Sequence, residues 1–132
     1  MTVRCVVVDD SARFLAAVRI LLERQGMAVV GVASTSAEAL ERIAELRPDV
    51  TLVDVHLGDE SGLELARRLV RERTMPPSRL ILMSGGAPED LAELTAERVV
   101  AGFLVKSELS ADAIRLLLGP DDVLPIRAPG GR

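Results

Sequence analysis

The sequence predicts a three-layer α/β/α fold whose central layer is a doubly wound, five-stranded parallel sheet in the order 2-1-3-4-5. Five short aliphatic runs recur along the 132 residues without strict alternation of apolar and polar positions, as is typical of strands buried on both faces. The segments between these runs carry apolar residues at helical spacing. Repeated strand-helix units join parallel strands through right-handed crossovers, and this strand order fits the length of the chain.

The predicted strands are short and rich in aliphatic residues, and they cover residues 3–8, 28–33, 50–55, 80–83 and 101–105. The first three predicted helices repeat apolar residues three or four positions apart. These residues are Phe14, Leu15, Val18, Leu21 and Leu22 in the first helix, Leu40, Ile43 and Ala44 in the second, and Leu65, Ala66, Leu69 and Val70 in the third.

Residues that favour helix ends flank the first two helices. Ser11 is a candidate N-cap of the first helix, and Gly26 follows its end. Thr35 and Glu38 have the spacing of a capping box at the start of the second helix, which Pro48 follows.

The last two predicted helices differ in their apolar faces. The helix over residues 88–98 offers mainly Leu91 and Leu94 to the core, so we expect it to be loosely held. The helix over residues 110–118 has a clearer apolar face. The prolines and glycines of residues 119–132 favour a flexible tail, which leaves one domain over residues 1–118.

The composition is that of a globular protein, with 48% hydrophobic residues, 27% charged residues and a formal net charge of -4. No apolar run approaches the ~20 residues of a membrane span, and no signal-peptide pattern opens the chain, so we expect a cytoplasmic protein without membrane contact. Cys5 has no partner for a disulfide, and we interpret it as a small buried hydrophobe. Without a basic cluster among aromatic residues, direct nucleic-acid binding is not expected.

Charged and hydroxyl residues lie at the carboxyl ends of four of the predicted strands. They are Asp9 and Asp10 at the end of the first, Asp54 at the end of the third, Ser84 at the end of the fourth and Lys106 at the end of the fifth. The carboxyl ends of parallel strands meet at one edge, where ligands bind at the reversal of winding. Three converging carboxylates repel one another unless a cation binds among them, and oxygen ligands favour Mg²⁺. A helix-capping role would account for Asp10 or Ser11 but not for Asp9.

This set of residues resembles that of the receiver (REC) domains of bacterial two-component response regulators, over the chain up to about Leu118. The matching features are the acidic pair, the acceptor Asp54, the hydroxyl residue Ser84, Lys106, the aromatic Phe103 three positions before it, and Gly62 after the acceptor loop. The resemblance implies a flavodoxin-like (CheY-like) fold. It also implies that Asp54 accepts a phosphoryl group from the phosphohistidine of a sensor histidine kinase.

The resemblance further implies that Mg²⁺ is held by Asp10, Asp54 and the backbone carbonyl of His56, with Asp9 acting through water. The side chain of His56 would lie at the border of the site and tune hydrolysis of the acyl phosphate, without acting as a catalytic base.

Phosphoryl transfer depends on positioning and on charge neutralisation. Mg²⁺, Lys106 and the Ser84 hydroxyl would supply these, with the backbone N–H of Gly85 as one more donor. Two positions depart from the family pattern, since Gly58 and Ser107 stand where proline is common. Without proline, we expect a trans peptide bond between Lys106 and Ser107.

Phosphorylation is expected to act through Ser84 and Phe103. The phosphoryl oxygens would draw in the Ser84 hydroxyl and vacate space that the Phe103 ring then occupies. The surface formed by residues 88–98, the fifth strand and the fifth helix would bind a downstream effector or a second copy of the chain.

Three functions from different classes remain open, and the phosphorylation-controlled switch is favoured. A Mg²⁺-dependent phosphatase or phosphotransferase of small molecules usually carries Asp-x-Asp where this chain has an adjacent pair. A receiver-like interaction module without phosphorylation would lack the acceptor, the acidic pair or the lysine, all of which are present. Besides these three, a flavin-binding protein of the same fold is a weaker alternative, because no Ser/Thr-rich phosphate loop follows the first strand. The sequence does not decide between a stand-alone regulator and part of a longer protein.

Overall fold

The structure of the protein is a computed structural model that describes residues 2–86 and 100–119. Its central layer is a five-stranded parallel sheet. The strands are β1 (Arg4–Val8), β2 (Ala28–Ala33), β3 (Val50–Asp54), β4 (Leu80–Ser84) and β5 (Gly102–Val105). Their order across the sheet is β2-β1-β3-β4-β5, which confirms the predicted topology.

Helices cover both faces of the sheet in the part of the chain that the structure describes. They are α1 (Ala12–Arg24), α2 (Ser36–Leu46), α3 (Gly62–Arg71) and α4 (Ala111–Leu118). Apolar side chains of α1 and α4 belong to one buried cluster, and those of α2 and α3 belong to a second cluster on the other face. The predicted helix over residues 88–98 and residues 120–132 of the predicted tail lie outside the described residues.

The central strands and the edge strands differ in burial. Nearly every residue of β1, β3 and β4 is buried. In β2 buried and half-buried residues alternate, and all of β5 is half-buried. The prediction that all five strands are buried on both faces was therefore wrong for the two edge strands, because each of them has a neighbouring strand on one side only.

Hydroxyl side chains begin the described helices. Each accepts a hydrogen bond from the backbone N–H three residues further on, and they are Ser11, Thr35, Ser61 and Ser110. The predicted capping box at Thr35 is half formed. The Glu38 carboxylate accepts hydrogen bonds from the backbone and side chain of Ser34 instead of from the Thr35 N–H, and these bonds lower the pKa of Glu38.

A short antiparallel hairpin links β3 to α3, with the two strands His56–Leu57 and Glu60–Ser61. Gly58 in its turn has a φ of +60°, which proline cannot adopt, so the departure from the family's proline follows from the backbone conformation. Gly62 has no space for a side chain, because a Cβ there would overlap the carbonyl oxygen of Asp54. Its N–H donates to the Val55 carbonyl (2.8 Å), so α3 begins directly against the end of β3.

Charged residues also gather at the opposite edge, which we call the amino edge, where β1, β3 and β4 begin. Asp49 accepts a hydrogen bond from the Arg4 N–H (2.9 Å) and forms an ion pair with Arg79 (3.7 Å). The Arg4 guanidinium donates to the carbonyl oxygens of Leu46 and Arg47 at the end of α2, both at 2.8 Å. These contacts fasten three strands and one helix to one another.

Candidate functional site

Asp9 and Asp10 leave the end of β1 in different environments. Asp9 is fully buried, and its N–H donates to the Ala33 carbonyl (3.0 Å), so it still follows the path of the strand. Its Oδ1 accepts a hydrogen bond from the Ser11 N–H (2.8 Å). Asp10 is exposed. The N-cap of α1 is Ser11, so neither Asp9 nor Asp10 is the capping residue of this helix.

Asp54 ends β3 as a buried carboxylate with a donor on each oxygen. Oδ1 accepts from the His56 N–H (3.1 Å), and Oδ2 accepts from Lys106 Nζ (3.0 Å). Burial raises the pKa of Asp54 above its ordinary value and outweighs the opposing effect of these two donors, and the nearby Asp9 raises the pKa further.

Lys106 follows β5 in a short 3₁₀ turn, Lys106–Glu108, and reaches both buried carboxylates. Its Nζ lies 2.6 Å from Asp9 Oδ2 and 3.0 Å from Asp54 Oδ2, while 21% of the side chain is exposed. Burial alone would lower the pKa of Lys106, but the contacts with Asp9 and Asp54 outweigh it and raise that pKa. The peptide bond to Ser107 is trans, as predicted, since the described residues contain no cis bond.

The three carboxylates at this carboxyl edge have the geometry of a cation site. One oxygen from each of Asp9, Asp10 and Asp54 can be chosen so that all lie within 4.8 Å of one another. Asp9 Oδ2 is buried without a partner at hydrogen-bond geometry, although the Lys106 ammonium is close to it. Three carboxylates facing one ammonium leave excess negative charge, so the donor set fits a hard divalent cation such as Mg²⁺.

His56 and Gly85 are close in sequence to Asp54 and Ser84, and both are exposed to solvent. His56 begins the hairpin, its side chain is exposed, and its N–H rather than its imidazole contacts Asp54. Gly85 is exposed after β4, and a Cβ added to it would meet no atom within 4 Å. Space is therefore available beside the Gly85 backbone.

Ser84, at the end of β4, is turned toward its own loop. Its buried hydroxyl donates to the Gly86 carbonyl (2.6 Å) and accepts from the Gly86 N–H (3.3 Å). The sequence places Ser84 at the correct edge but does not indicate this local pairing. Use of the hydroxyl by a ligand would require Ser84 to exchange its Gly86 partner.

The two phenylalanines lie on opposite sides of the sheet. Phe103 of β5 is half-buried against the cluster covered by α2 and α3. Phe14 packs partly against the other cluster, and its ring centroid lies 4.5 Å from Lys106 Nζ. The sequence pattern places Phe14 only on the apolar face of a helix. Its position in the first turn after the acidic pair was the available signal that it borders the site.

The family model described as "Response regulator receiver domain" matches residues 5–117. The chain belongs to this family. The match extends from β1 into α4 and favours a receiver domain of two-component systems over a small-molecule phosphatase or a flavin-binding protein. Among the described residues, no helix is both long enough and apolar enough to cross a membrane.

Relatives of known identity match this chain over part of their own length. Protein-glutamate methylesterase/protein-glutamine glutaminase 5 of Myxococcus xanthus is 34% identical over 131 residues, which are 98% of this chain and 37% of that protein. The corresponding enzyme 3 of Hahella chejuensis is 43% identical over 70 residues, 53% of this chain and 20% of that protein. The chain thus spans about one-fifth to little more than one-third of these two curated relatives.

Solved structures share the fold along most of the chain. The receiver domain of the putative response regulator NarL from Mycobacterium tuberculosis is 31% identical with a TM-score of 0.73, covering 89% of this chain and 94% of that chain. A response regulator from Burkholderia pseudomallei is 26% identical with a TM-score of 0.74, covering 96% and 75%. That protein was solved with a phosphorylated aspartic acid and a calcium ion.

Proposed function

We propose that Asp54 is the phosphoryl acceptor of this receiver domain and that a sensor histidine kinase in the cytoplasm is the donor. The observation that carries this proposal is the position of Asp54, a buried carboxylate within 3.0 Å of the Lys106 ammonium and within a cluster of carboxylates that suits a divalent cation. Asp9 has the same two neighbours, but its side chain is fully enclosed, whereas 8% of the Asp54 side chain is exposed, so Asp54 is the more accessible of the two to a phosphoryl donor.

In the proposed reaction a carboxylate oxygen of Asp54 attacks the phosphorus atom of a phosphohistidine. The new O–P bond forms as the N–P bond breaks, and the electron pair of that bond stays with the imidazole, which takes up a proton. Lys106 is already placed to neutralise charge on the transferred group. The Ser84 hydroxyl and the Gly85 N–H are further donors for the phosphoryl oxygens.

The residues that would hold Mg²⁺ are Asp10 and Asp54, with the backbone carbonyl of His56 and with Asp9 through water. When bound, the cation would neutralise negative charge on the acceptor and the phosphoryl oxygens. Asp9 Oδ2 supports a cation-binding role for the cluster, because this buried oxygen shares the single positive charge of Lys106 with Asp54.

The output of the domain would follow from the Ser84 hydroxyl leaving Gly86. We propose that this movement allows the Phe103 ring to shift, so that the surface of β5 and α4 binds a downstream effector or a second copy of the chain. The chain would act on no external substrate and would assist only its own phosphorylation and dephosphorylation.

Intact-mass measurement after incubation with acetyl phosphate, with and without Mg²⁺, tests the proposal. Wild-type protein should gain one phosphoryl group only with Mg²⁺, and Asp54→Ala should gain none. Asp59→Ala is the matched control, because Asp59 is an exposed aspartate in the same loop and should leave uptake unchanged. Similar uptake by Asp54→Ala and wild type would contradict the assignment.

A further inference from the structure

Among the described residues, the ammonium of Lys106 contacts two carboxylates and one uncharged group, an aromatic ring. Asp9 and Asp54 contact it through carboxylate oxygens, and the Phe14 ring lies 4.5 Å from it, measured to the ring centroid. The distance is within the range of a cation–π interaction, in which the negative face of a ring attracts a cation. Partial burial of Lys106 strengthens this attraction because water competes less for the ammonium.

The position of Phe14 is itself fixed by the acidic pair. Asp9 Oδ1 accepts the Ser11 N–H (2.8 Å), and the Ser11 hydroxyl accepts the Phe14 N–H (3.1 Å). The Phe14 ring contacts the Lys106 ammonium, and this ammonium also contacts the second oxygen of Asp9, Oδ2 (2.6 Å). These contacts form a closed circuit, so the start of α1 holds the ring at a defined place beside the lysine.

The ring differs from the carboxylates in one chemical respect. When a divalent cation or a phosphoryl group binds, the carboxylate oxygens of Asp9 and Asp54 would exchange their present partners for the new ligand, because these oxygens are charged. Phe14 has no oxygen to offer a metal. Its contact with Lys106 therefore remains available when the carboxylates take other partners.

We propose that Phe14 is a positioning residue of the phosphorylation site, whose ring holds the Lys106 ammonium beside Asp54 while the carboxylates change partners. This inference rests on the proposed function of Asp54. It assigns to an aromatic residue of α1 a role in the reaction besides packing of the core.

Phe14→Leu tests the inference, because leucine keeps apolar contact with the core and removes the ring. Phe14→Tyr keeps the ring and is the rescue variant. Leu21→Ala is the matched control for lost packing, since Leu21 is half-buried on the same helix two turns away. The two readouts are the initial rate of phosphoryl uptake from acetyl phosphate and the proton NMR signals of the Lys106 ε-methylene group in metal-free protein.

The expected rate falls about three- to tenfold in Phe14→Leu, returns to near wild type in Phe14→Tyr and stays within twofold in Leu21→Ala. The Lys106 signals should move downfield in Phe14→Leu alone, because they lose the shielding of the ring. Unmoved signals, an unchanged Phe14→Leu rate, or an equal loss in Leu21→Ala would overturn the inference. Absence of uptake by wild-type protein would contradict the function of Asp54 as well, which separates the two failures.

Discussion

The two edges of the sheet carry similar residues but balance their charges differently. At the amino edge, Arg79 forms an ion pair with Asp49, while the Arg4 guanidinium donates hydrogen bonds to carbonyl oxygens at the end of α2. At the carboxyl edge, the two buried carboxylates of Asp9 and Asp54 share the Lys106 ammonium, and the exposed carboxylate of Asp10 lies beside them. Unbalanced buried charge therefore distinguishes the edge that binds ligands from the edge that holds the fold together.

Gly62→Ala should have the largest effect, because it breaks the packing that places the acceptor. The added Cβ would overlap the Asp54 carbonyl oxygen and force β3 and α3 apart, so we expect a loss of about 3 kcal/mol in the free energy of unfolding, together with impaired phosphorylation. Urea unfolding measures the loss. Gly86→Ala is the control, since its Cβ would meet no atom within 4 Å, and an equal effect of both variants would exclude this steric cause.

Arg4→Ala breaks the amino edge alone and sharpens the contrast. Two hydrogen bonds from the guanidinium to the end of α2 are lost, so unfolding should become easier by about 2 kcal/mol. The rate of phosphoryl uptake should stay within twofold of wild type, measured at a temperature where both proteins are folded. A large drop in this rate would mean that contacts at the amino edge also affect the phosphorylation site at the carboxyl edge.

The stability of the fold should depend on pH through Cys5, a thiol buried in the apolar interior between the two edges. Burial raises the pKa of Cys5 to about 12 from 9.0, so the thiol ionises first in the unfolded chain. Its contribution to stability is complete below pH 9.0 and is lost as pH rises toward about 12. The slope should be about 1.4 kcal/mol per pH unit in this window. Cys5→Ala should flatten the pH dependence of the free energy of unfolding measured with urea. An unchanged slope in this variant would mean that other groups cause the pH dependence.

Thr51→Val should have the smallest effect and the opposite sign. Within the described residues, Thr51 Oγ1 and Asp9 Oδ2 are the buried side-chain oxygen atoms that have no partner at hydrogen-bond geometry. Thr51 is the second residue of β3 and has no charged partner among the described contacts, so replacing its hydroxyl with a methyl group should stabilise the fold by about 1 kcal/mol. Thermal unfolding tests this, and a clear loss of stability would indicate that the hydroxyl has a partner.

The fold was largely predictable because its signals are local. Aliphatic runs gave the five strands, and Ser11 and Thr35 gave helix starts, since caps depend on residues only three positions apart. The two-residue strands of the hairpin after β3 were missed because their length leaves no periodic pattern.

The site was predictable to the extent that strand ends determine it. Sequence reasoning brought Asp9, Asp54 and Lys106 to one edge, and the structure places them in contact. The pairing of Ser84 with Gly86 and the position of Phe14 over Lys106 were not predicted. Both depend on loop conformation and on contacts between distant segments, which composition and spacing do not specify.

The most direct test of the central claim is to locate the phosphoryl group after reaction with acetyl phosphate and Mg²⁺. Reduction with borohydride converts an aspartyl phosphate to homoserine, which peptide mass spectrometry assigns to a position. We expect this conversion at residue 54 alone. Conversion at residue 9 or 10, or phosphate that survives reduction on Ser84 or His56, would contradict it.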